Sequence, residues 1–307
     1  MAPARADHGP DTPVEVDGRR IVLRNLDKVL YPATGTTKAE VLSYYTAVAA
    51  PLLAVVRDRP VTRKRWPDGV DGLVFFEKNL PQGTPSWVRH VRLPVPGSTR
   101  DRETIVFPFL DDLAGLVWTA NLAALELHVP QWTCGPRGAV HGPDRLVVDL
   151  DPGAPAGLPE CAEVAWLVRE HLAADGLECY PVTSGSKGMQ LYAPVSGRQD
   201  AEAVHGYARR MAETLEKAHP KLVTSKMTKA LRPGKVLIDW SQNNPSKTTI
   251  APYSLRGREL PHAAAPRTWD ELDGSLRQLD HAEVVARLHA DGDLLEPLQH
   301  KGPRVPA

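Results

Sequence analysis

The chain has 307 residues, 42% of them hydrophobic and 24% charged, with 37 Lys and Arg balanced by 37 Asp and Glu. This is the composition of a folded globule, long enough for one large α/β domain or two smaller ones. A formal charge of zero excludes a uniformly basic nucleic-acid coat but leaves local patches open, and three scattered cysteines, Cys134, Cys161 and Cys179, exclude a disulfide framework or a zinc site.

In chain order, residues 1–15 are polar and proline-rich with no apolar signal core, and they read as a disordered tail. Ile21 to Leu23 is a short strand. Thr37 and Glu40 form a capping box that opens a helix carrying Val41, Leu42, Tyr45, Val48 and Leu52 at helical spacing. The longest apolar stretch, Ala47 to Val56, is too short for a bilayer and contains Pro51, so no membrane role is expected and the expected location is cytoplasmic. A strongly basic turn follows with Arg57, Arg59, Arg63, Lys64 and Arg65. Residues 86–104 read as an exposed basic loop or hairpin, and Asp111 or Asp112 caps the next helix. Leu125 to Val129 alternates as a strand, with Glu126 and His128 on the face opposite the leucines. Leu146 to Leu150 is a further strand, and a helix spans Pro159 to Ala174. Strands near 178–183 and 189–194 flank a Gly-rich turn, and another helix covers Asp200 to Ala218. A basic run at 221–235 precedes the strand Val236 to Asp239. A last helix starts at Asp280, with Glu283 completing a capping box, and stops near Gly292. Strands and helices interleave, so the fold class is α/β or α+β. The expected organisation is one catalytic domain of two lobes over 16–295 and a C-terminal tail over 296–307.

The most informative segment is Leu146-Val147-Val148-Asp149-Leu150-Asp151-Pro152-Gly153. Residues i and i+2 of a strand point to one face, roughly 6.6 Å apart along the chain. Two carboxylates so placed repel each other, and burial raises their pKa values; a bound divalent cation removes both penalties. Oxygen ligands select hard ions such as Mg²⁺ and Mn²⁺. Pro152-Gly153 is expected to end the strand and leave the acids at its open edge. A second apolar strand, Val236 to Ile238, also ends in an aspartate, Asp239. Three such aspartates brought together make a two-metal site, with ions about 4 Å apart that activate an attacking oxygen and stabilise a leaving phosphate. A DxD before Pro-Gly is also the sequence of a solvated turn, and the second aspartate-ending strand weighs against that alternative.

The turn Thr183-Ser184-Gly185-Ser186-Lys187-Gly188 joins two strands. Its glycines let backbone N–H groups point into a concavity, its hydroxyls donate, and Lys187 adds a charge, which suits a triphosphate. It lacks the Walker A spacing and equally fits a hairpin turn. His128 projects from a strand beside the carboxylates, where a structural role is the alternative. Ser241-Gln242-Asn243-Asn244 and Arg256-Gly257-Arg258 follow Asp239 and can close around a nucleotide or form solvated loops. The basic run at 57–66 ends at Trp66 and is soon followed by Phe75 and Phe76. Aromatics beside cations can stack on bases while the cations track phosphates, although one phenylalanine can equally belong to the core.

These segments together resemble the polymerase domain of bacterial ATP-dependent DNA ligase D, within the archaeo-eukaryotic primase superfamily. The resemblance runs from about Val16 to Leu295. It is carried by NLDKVLYPATGTTK (25–38), TRKRWPDGVDG (62–72), FFEK (75–78), LELHVPQW (125–132), LVVDLDPG (146–153), VTSGSKG (182–188), LVTSKMTKALRPGKVLIDWSQN (222–243) and SKTTIAPYSLRGR (246–258). It implies a primase-type catalytic fold, a mixed or antiparallel β core flanked by helices. By position it implies Asp149, Asp151 and Asp239 as catalytic metal ligands. Ser184 and Lys187 become nucleotide contacts, with the serine near the sugar 2′-hydroxyl, and His128, Gln242 and Arg256 surround the triphosphate. Asn25, Lys28, Lys38 and Lys64 form a pocket for the 5′-phosphate on the downstream side of a gap, Phe75 and Phe76 stack on the template, and Arg232 lies in a mobile loop. One departure is Gln190, where the family usually has histidine; it remains a candidate nucleotide contact that carries no charge at any pH. Another is that no ligase or phosphoesterase module is attached, so either an excised domain or, the favoured expectation, a stand-alone polymerase is implied.

The expected function is template-directed nucleotidyl transfer in DNA repair such as non-homologous end joining. It would use two Mn²⁺ or Mg²⁺ ions, NTP or dNTP, often with ribonucleotide incorporation, and DNA with a gap or 3′ overhang bearing a downstream 5′-phosphate. Ku and a separate ATP-dependent DNA ligase are the expected protein partners, and the expected location is the cytoplasm, on the nucleoid. The alternatives are a non-catalytic end-binding or bridging module impaired through Gln190, and a nuclease built on the same carboxylates.

Overall fold

Period-two alternation in one long strand decides the architecture. In Arg145–Pro152, Leu146, Val148 and Leu150 are buried against one apolar cluster, whereas Val147 belongs to another on the opposite side. The odd-numbered face therefore carries Asp149 and Asp151 away from the first cluster. The structure, a computed structural model, describes residues 10–95 and 103–307.

Two sheets dominate, and their strands are numbered together in chain order. They are β1 (Thr62–Arg65), β2 (Phe75–Glu77), β3 (Ala124–Val129), β4 (Arg145–Pro152), β5 (Tyr180–Thr183), β6 (Met189–Pro194), β7 (Val223–Thr224), β8 (Val236–Ile238), β9 (Thr249–Ile250) and β10 (Ala265–Pro266). One sheet has the order β9-β3-β1-β2, the other β7-β8-β4-β6-β5-β10. All pairings are antiparallel except β7 with β8, a mixed α/β fold of the expected class.

The helices are α1 (Lys38–Ala47), α2 (Ala49–Val56), α3 (Leu113–Asn121), α4 (Leu158–Ala174), α5 (Ala201–Ala218) and α6 (His281–Asp291). The even-numbered face of β4 and the odd-numbered face of β6 pack on α4 and α5 through Val164, Val168, Val204 and Met211. The other cluster joins α1, α2 and α3 to Leu125, Leu127 and Val129 of β3. Each buried aliphatic side chain of this kind contributes about 1.5–3 kcal/mol. Apolar residues of β3 and β4 pack on these two helix-backed cores, and Glu126, His128, Asp149 and Asp151 occupy the alternate positions of the same strands.

Several expectations are corrected. Thr12–Val16 is a strand paired with Arg19–Leu23, not tail, because Asp17 and Gly18, at φ of 50° and 70°, make the two-residue turn that such hairpins favour. Residues 1–9 lie outside the described residues. The single helix expected from Thr37 to Leu52 is two, bent by 73°; Pro51 cannot donate to the carbonyl of Ala47 and its ring crowds that turn. The capping box at Thr37 is present. Of the basic turn, Arg63, Lys64 and Arg65 lie on strand β1, where Arg65 pairs with Glu77 at 2.7 Å and Lys64 with Glu126 at 2.9 Å. Strand β4 does not leave the acids at an open edge: β6 and β8 flank it, so Asp149 and Asp151 project from the face of a central strand. The C-terminal segment is docked, with Val305 3% exposed and hydrogen-bonded both ways to Gln199. The expected hairpin is His90–Pro94 with Thr104–Pro108, and its tip, 96–102, lies outside the described residues.

Cys134, Cys161 and Cys179 are buried free thiols. Among the described residues no single helix is long and apolar enough to cross a membrane, and the bent pair α1–α2 that approaches the length is core.

Candidate active site

Register places the carboxylates. Asp149 lies opposite Gln190 of β6, and Asp151 opposite Leu237 of β8. Asp239 follows β8 directly, and its N–H donates to the Asp149 carbonyl at 2.8 Å, which locks the two strand segments side by side. One oxygen from each of Asp149, Asp151 and Asp239 falls within 4.8 Å of the others. Burial first, then the Asp151 and Asp239 charges, hold the Asp149 carboxyl well above its ordinary range. Asp151, open to solvent, is raised by desolvation and by Asp239. Three acids so close are a poor arrangement without a cation and a suitable one with it, and their oxygen donors match a hard divalent ion.

The surroundings fix these acids without neutralising them. Gln190 Nε2 donates to Asp149 Oδ1 at 3.1 Å, and the Tyr192 hydroxyl orients that amide by donating to Gln190 Oε1 at 2.7 Å. Gln242 Nε2 donates to Asp239 Oδ2 at 2.8 Å, and the Ser241 hydroxyl donates to Asp239 Oδ1. Asn243 pairs with both backbone groups of Val147 on β4, at 3.0 and 2.7 Å, so the turn after Asp239 is stitched to the strand that carries the other two acids.

A cavity of about 260 Å³ opens beside the acids, lined by His128, Asp149, Asp151, Ser184, Lys187, Gln190, Gln242, Arg256 and Arg258 among others. His128, Ser184, Lys187, Gln190, Gln242 and Arg256, read from sequence as nucleotide contacts, are on this wall, whereas Ser241, Asn243 and Asn244 are not. The Ser184–Gly188 turn is closed by Ser184 N–H on the Gly188 carbonyl at 3.0 Å. Gln278 clamps it from outside, accepting from Gly185 N–H at 2.7 Å and donating to the Gly188 carbonyl at 3.0 Å. Gly185 has φ of 69°, and a Cβ there would lie 2.6 Å from Arg256 Cγ. Only glycine lets the arginine stem lie across the turn.

A second cavity, of about 420 Å³, lies at the N-terminal lobe and is lined by Arg20, Arg24, Asn25, Lys28, Lys38 and Arg65, with Trp87 and Trp118 on its apolar side. Burial, then the Lys28, Arg24 and Arg65 charges, lowers the Lys38 ammonium to about 8. Lys28 pairs with Asp68 at 2.7 Å. Lys64, grouped with these residues from sequence, is absent from the wall: alternation along β1 turns Arg65 to this cavity and Lys64 to Glu126.

Residues 37–295 match the family described as LigD, primase-polymerase domain. The chain belongs to the LigD primase-polymerase family. It is 50% identical over 291 residues to the multifunctional non-homologous end joining protein LigD of Mycobacterium bovis, covering 93% of this chain and 38% of that protein. It is 34% identical over 258 residues to the bifunctional LigD of Bacillus subtilis, covering 84% of this chain and 40% of that one. The chain thus spans less than half the length of the curated relatives it matches. Its fold matches the polymerase domain of Mycobacterium tuberculosis ligase D in complex with DNA, at a TM-score of 0.87 and 51% identity, over 91% of this chain and 98% of that chain. The LigD primase-polymerase domain is a metal-dependent nucleotidyltransferase, and the Asp149, Asp151 and Asp239 cluster can hold metal ions.

The remaining sequence candidates of this LigD-type domain, Phe75, Phe76 and Arg232, lie on neither of these two cavity walls. Phe75 and Phe76 stand exposed on edge strand β2, at 46% and 51%. Arg232 follows a short 3₁₀ turn, and its guanidinium donates to the Met227 carbonyl at 2.6 Å. That loop closes on the end of β4, with Gly153 N–H donating to the Lys235 carbonyl at 2.8 Å. Asn243 lies in the 241–244 segment already read from sequence, whereas Glu126, Gln278 and Tyr192 were not singled out for the site. Of these three, Glu126 carried a signal, as an acid sharing a strand face with His128. Gln278 reaches the turn from about 90 residues away in the chain, so no local pattern could reveal it.

Proposed function

We propose that this chain performs template-directed nucleotidyl transfer, in which a primer 3′-hydroxyl attacks the α-phosphate of a bound NTP or dNTP and pyrophosphate leaves. The observation that carries this reading is that Asp149 and Asp151, clustered with Asp239, line the same cavity as Ser184, Lys187 and Arg256. Two Mn²⁺ or Mg²⁺ ions, when bound, neutralise the acids, activate the attacking hydroxyl and stabilise the leaving phosphate. The chain's own part is positioning and charge. Lys187, Arg256 and Arg258 provide cations for a triphosphate, and the clamped Ser184–Gly188 turn presents the Ser184 hydroxyl to the sugar. Gln190 commits its amide to Asp149 and Tyr192, so its part is to hold that acid in place.

The second cavity accepts the 5′-phosphate downstream of a gap through Asn25, Lys28 and Lys38. Phe75 and Phe76 meet the template base, and the loop of Arg232 borders the primer side. In the cell the substrate is gapped or 3′-overhanging DNA, with end joining as the process and Ku and an ATP-dependent ligase as partners on the nucleoid. The test is a labelled primer on a gapped template with a downstream 5′-phosphate, Mn²⁺ and each nucleotide. Extension supports the reading. Tight binding without extension would mark an end-binding module, and shortening a nuclease.

A further inference from the structure

Glu126 of β3 is 1% exposed, a carboxylate removed from water between the two lobes. Its Oε2 accepts from Lys64 Nζ at 2.9 Å and from His128 Nε2 at 2.8 Å. Its Oε1 accepts from Gly257 N–H at 3.1 Å and faces Arg256 Nε at 3.6 Å. Burial alone would push the acid up; the His128 hydrogen bond and the Arg256 and Lys64 charges overcome it and hold the group well below the usual carboxylate range. The donors belong to three different pieces of chain: β1, β3 and the loop after β9. That loop is pressed into place from other sides too. The Tyr31 hydroxyl donates to the Arg256 carbonyl at 2.8 Å, and a Cβ at Gly257 would fall 2.2 Å from the Trp66 ring.

The chemistry of this cluster has one outcome. An ionised carboxylate only accepts, so the imidazole nitrogen facing it must carry the proton. His128 is then the Nε2–H tautomer. Its Nδ1, which has no hydrogen-bond partner among the described residues, is left as the polar atom available to the cavity that His128 lines. The same carboxylate draws Arg256 across the Ser184–Gly188 turn, where the missing side chain of Gly185 makes room for it.

We propose that Glu126 is a positioning residue that fixes the His128 tautomer and holds the Arg256–Gly257 segment over the nucleotide-binding turn. This rests on the cavity being the nucleotide site. Replacing the acid by its amide opposes donors with donors: one oxygen remains for Lys64 or Gly257, and the NH₂ can face His128 only if Nε2 becomes the acceptor.

Nitrogen-detected NMR of the histidine-labelled, metal-free chain near pH 7.5, with His128→Gln to identify the resonance, reads the tautomer directly. The parent is expected as Nε2–H alone; in Glu126→Gln the amide oxygen serves either Lys64 with His128 or Gly257, so Nδ1–H is expected to appear as an added population. In primer extension, Glu126→Gln should raise the nucleotide KM by about 10-fold, the scale of one charged hydrogen bond, with a smaller change in kcat. An Nδ1–H tautomer in the parent overturns the proposal. So does a Glu126→Gln protein that keeps the parent tautomer and KM. Should Glu126→Gln fail to fold, the parent's tautomer decides alone. Failure of the polymerase reading shows separately, as a parent that never extends a primer while its His128 tautomer remains measurable.

Discussion

The two cavities handle charge in opposite ways. At the carboxylate site three acids meet within 4.8 Å, with Asp149 and Asp151 both pushed upward by desolvation first and then by the Asp239 charge, to which Asp151 adds at Asp149. At the N-terminal cavity most cations already have an acid: Lys28 has Asp68, Arg24 has Asp11 and Arg65 has Glu77. The first is incomplete by design of its register and depends on an added cation. The second is nearly balanced in advance, so its ligand adds graded selectivity rather than an on–off requirement. An uncompensated cluster on rigid strands is expected to control turnover, and a compensated one on turns to control preference.

The sharpest way to break this contrast is to remove one acid. Asp149→Asn or Asp239→Ala should lower primer extension by at least about 100-fold while DNA binding changes by only a few-fold; retained extension would refute the metal assignment. The same Asp149→Asn change removes a repelled buried charge. It should raise the melting midpoint measured in chelator by roughly 2 °C or more and abolish the stabilisation that Mn²⁺ gives the parent by mass action. A lower midpoint in chelator would mean the carboxylates are not in conflict.

At the other cavity, Lys28→Ala should cut the preference for a 5′-phosphorylated gap by about 10-fold, read by competition between phosphorylated and unphosphorylated duplexes. An unchanged preference would remove Lys28 from that role. The pH dependence there has a definite sign. Lys38 is charged below about 8 and neutral above it, so attraction for the phosphate should weaken as pH rises from about 7 to 9. A bound phosphate delays that loss by favouring the ammonium. Lys38→Met should flatten the profile, and a parent profile already flat over this range would contradict the assignment. The smallest effect belongs to Gln278. Gln278→Ala removes two neutral hydrogen bonds from the turn and should raise nucleotide KM by about 5-fold with DNA affinity unchanged; a fall in DNA affinity of the same size would show that the turn serves another ligand.

What could be read in advance follows the same division. Asp149, Asp151 and Asp239 were legible because an apolar strand alternating every second residue leaves its acids on one face wherever the strand sits. Its place in the sheet was not, since Pro152-Gly153 suggests an ending and only the partners β6 and β8 show a central strand. The capping boxes at Thr37 and Asp280 were visible as local chemistry. The direction in which Lys64 points was not legible, because which neighbour of a strand pair faces which cavity depends on pairing with β3, which is a long-range matter. The Asp17-Gly18 hairpin carried a strong local signal that the surrounding polar, proline-rich composition obscured.

Gly153 has no room to be anything else. A β-carbon there would stand 2.1 Å from the Arg232 carbonyl oxygen, because that loop lies flat against the end of the strand bearing Asp149 and Asp151. Of that loop's side chains, Lys229, Leu231 and Pro233 are exposed to solvent. Mutational tolerance in this stretch is therefore lopsided: a library randomising those three positions should yield many functional members, whereas one randomising position 153 should return glycine almost alone.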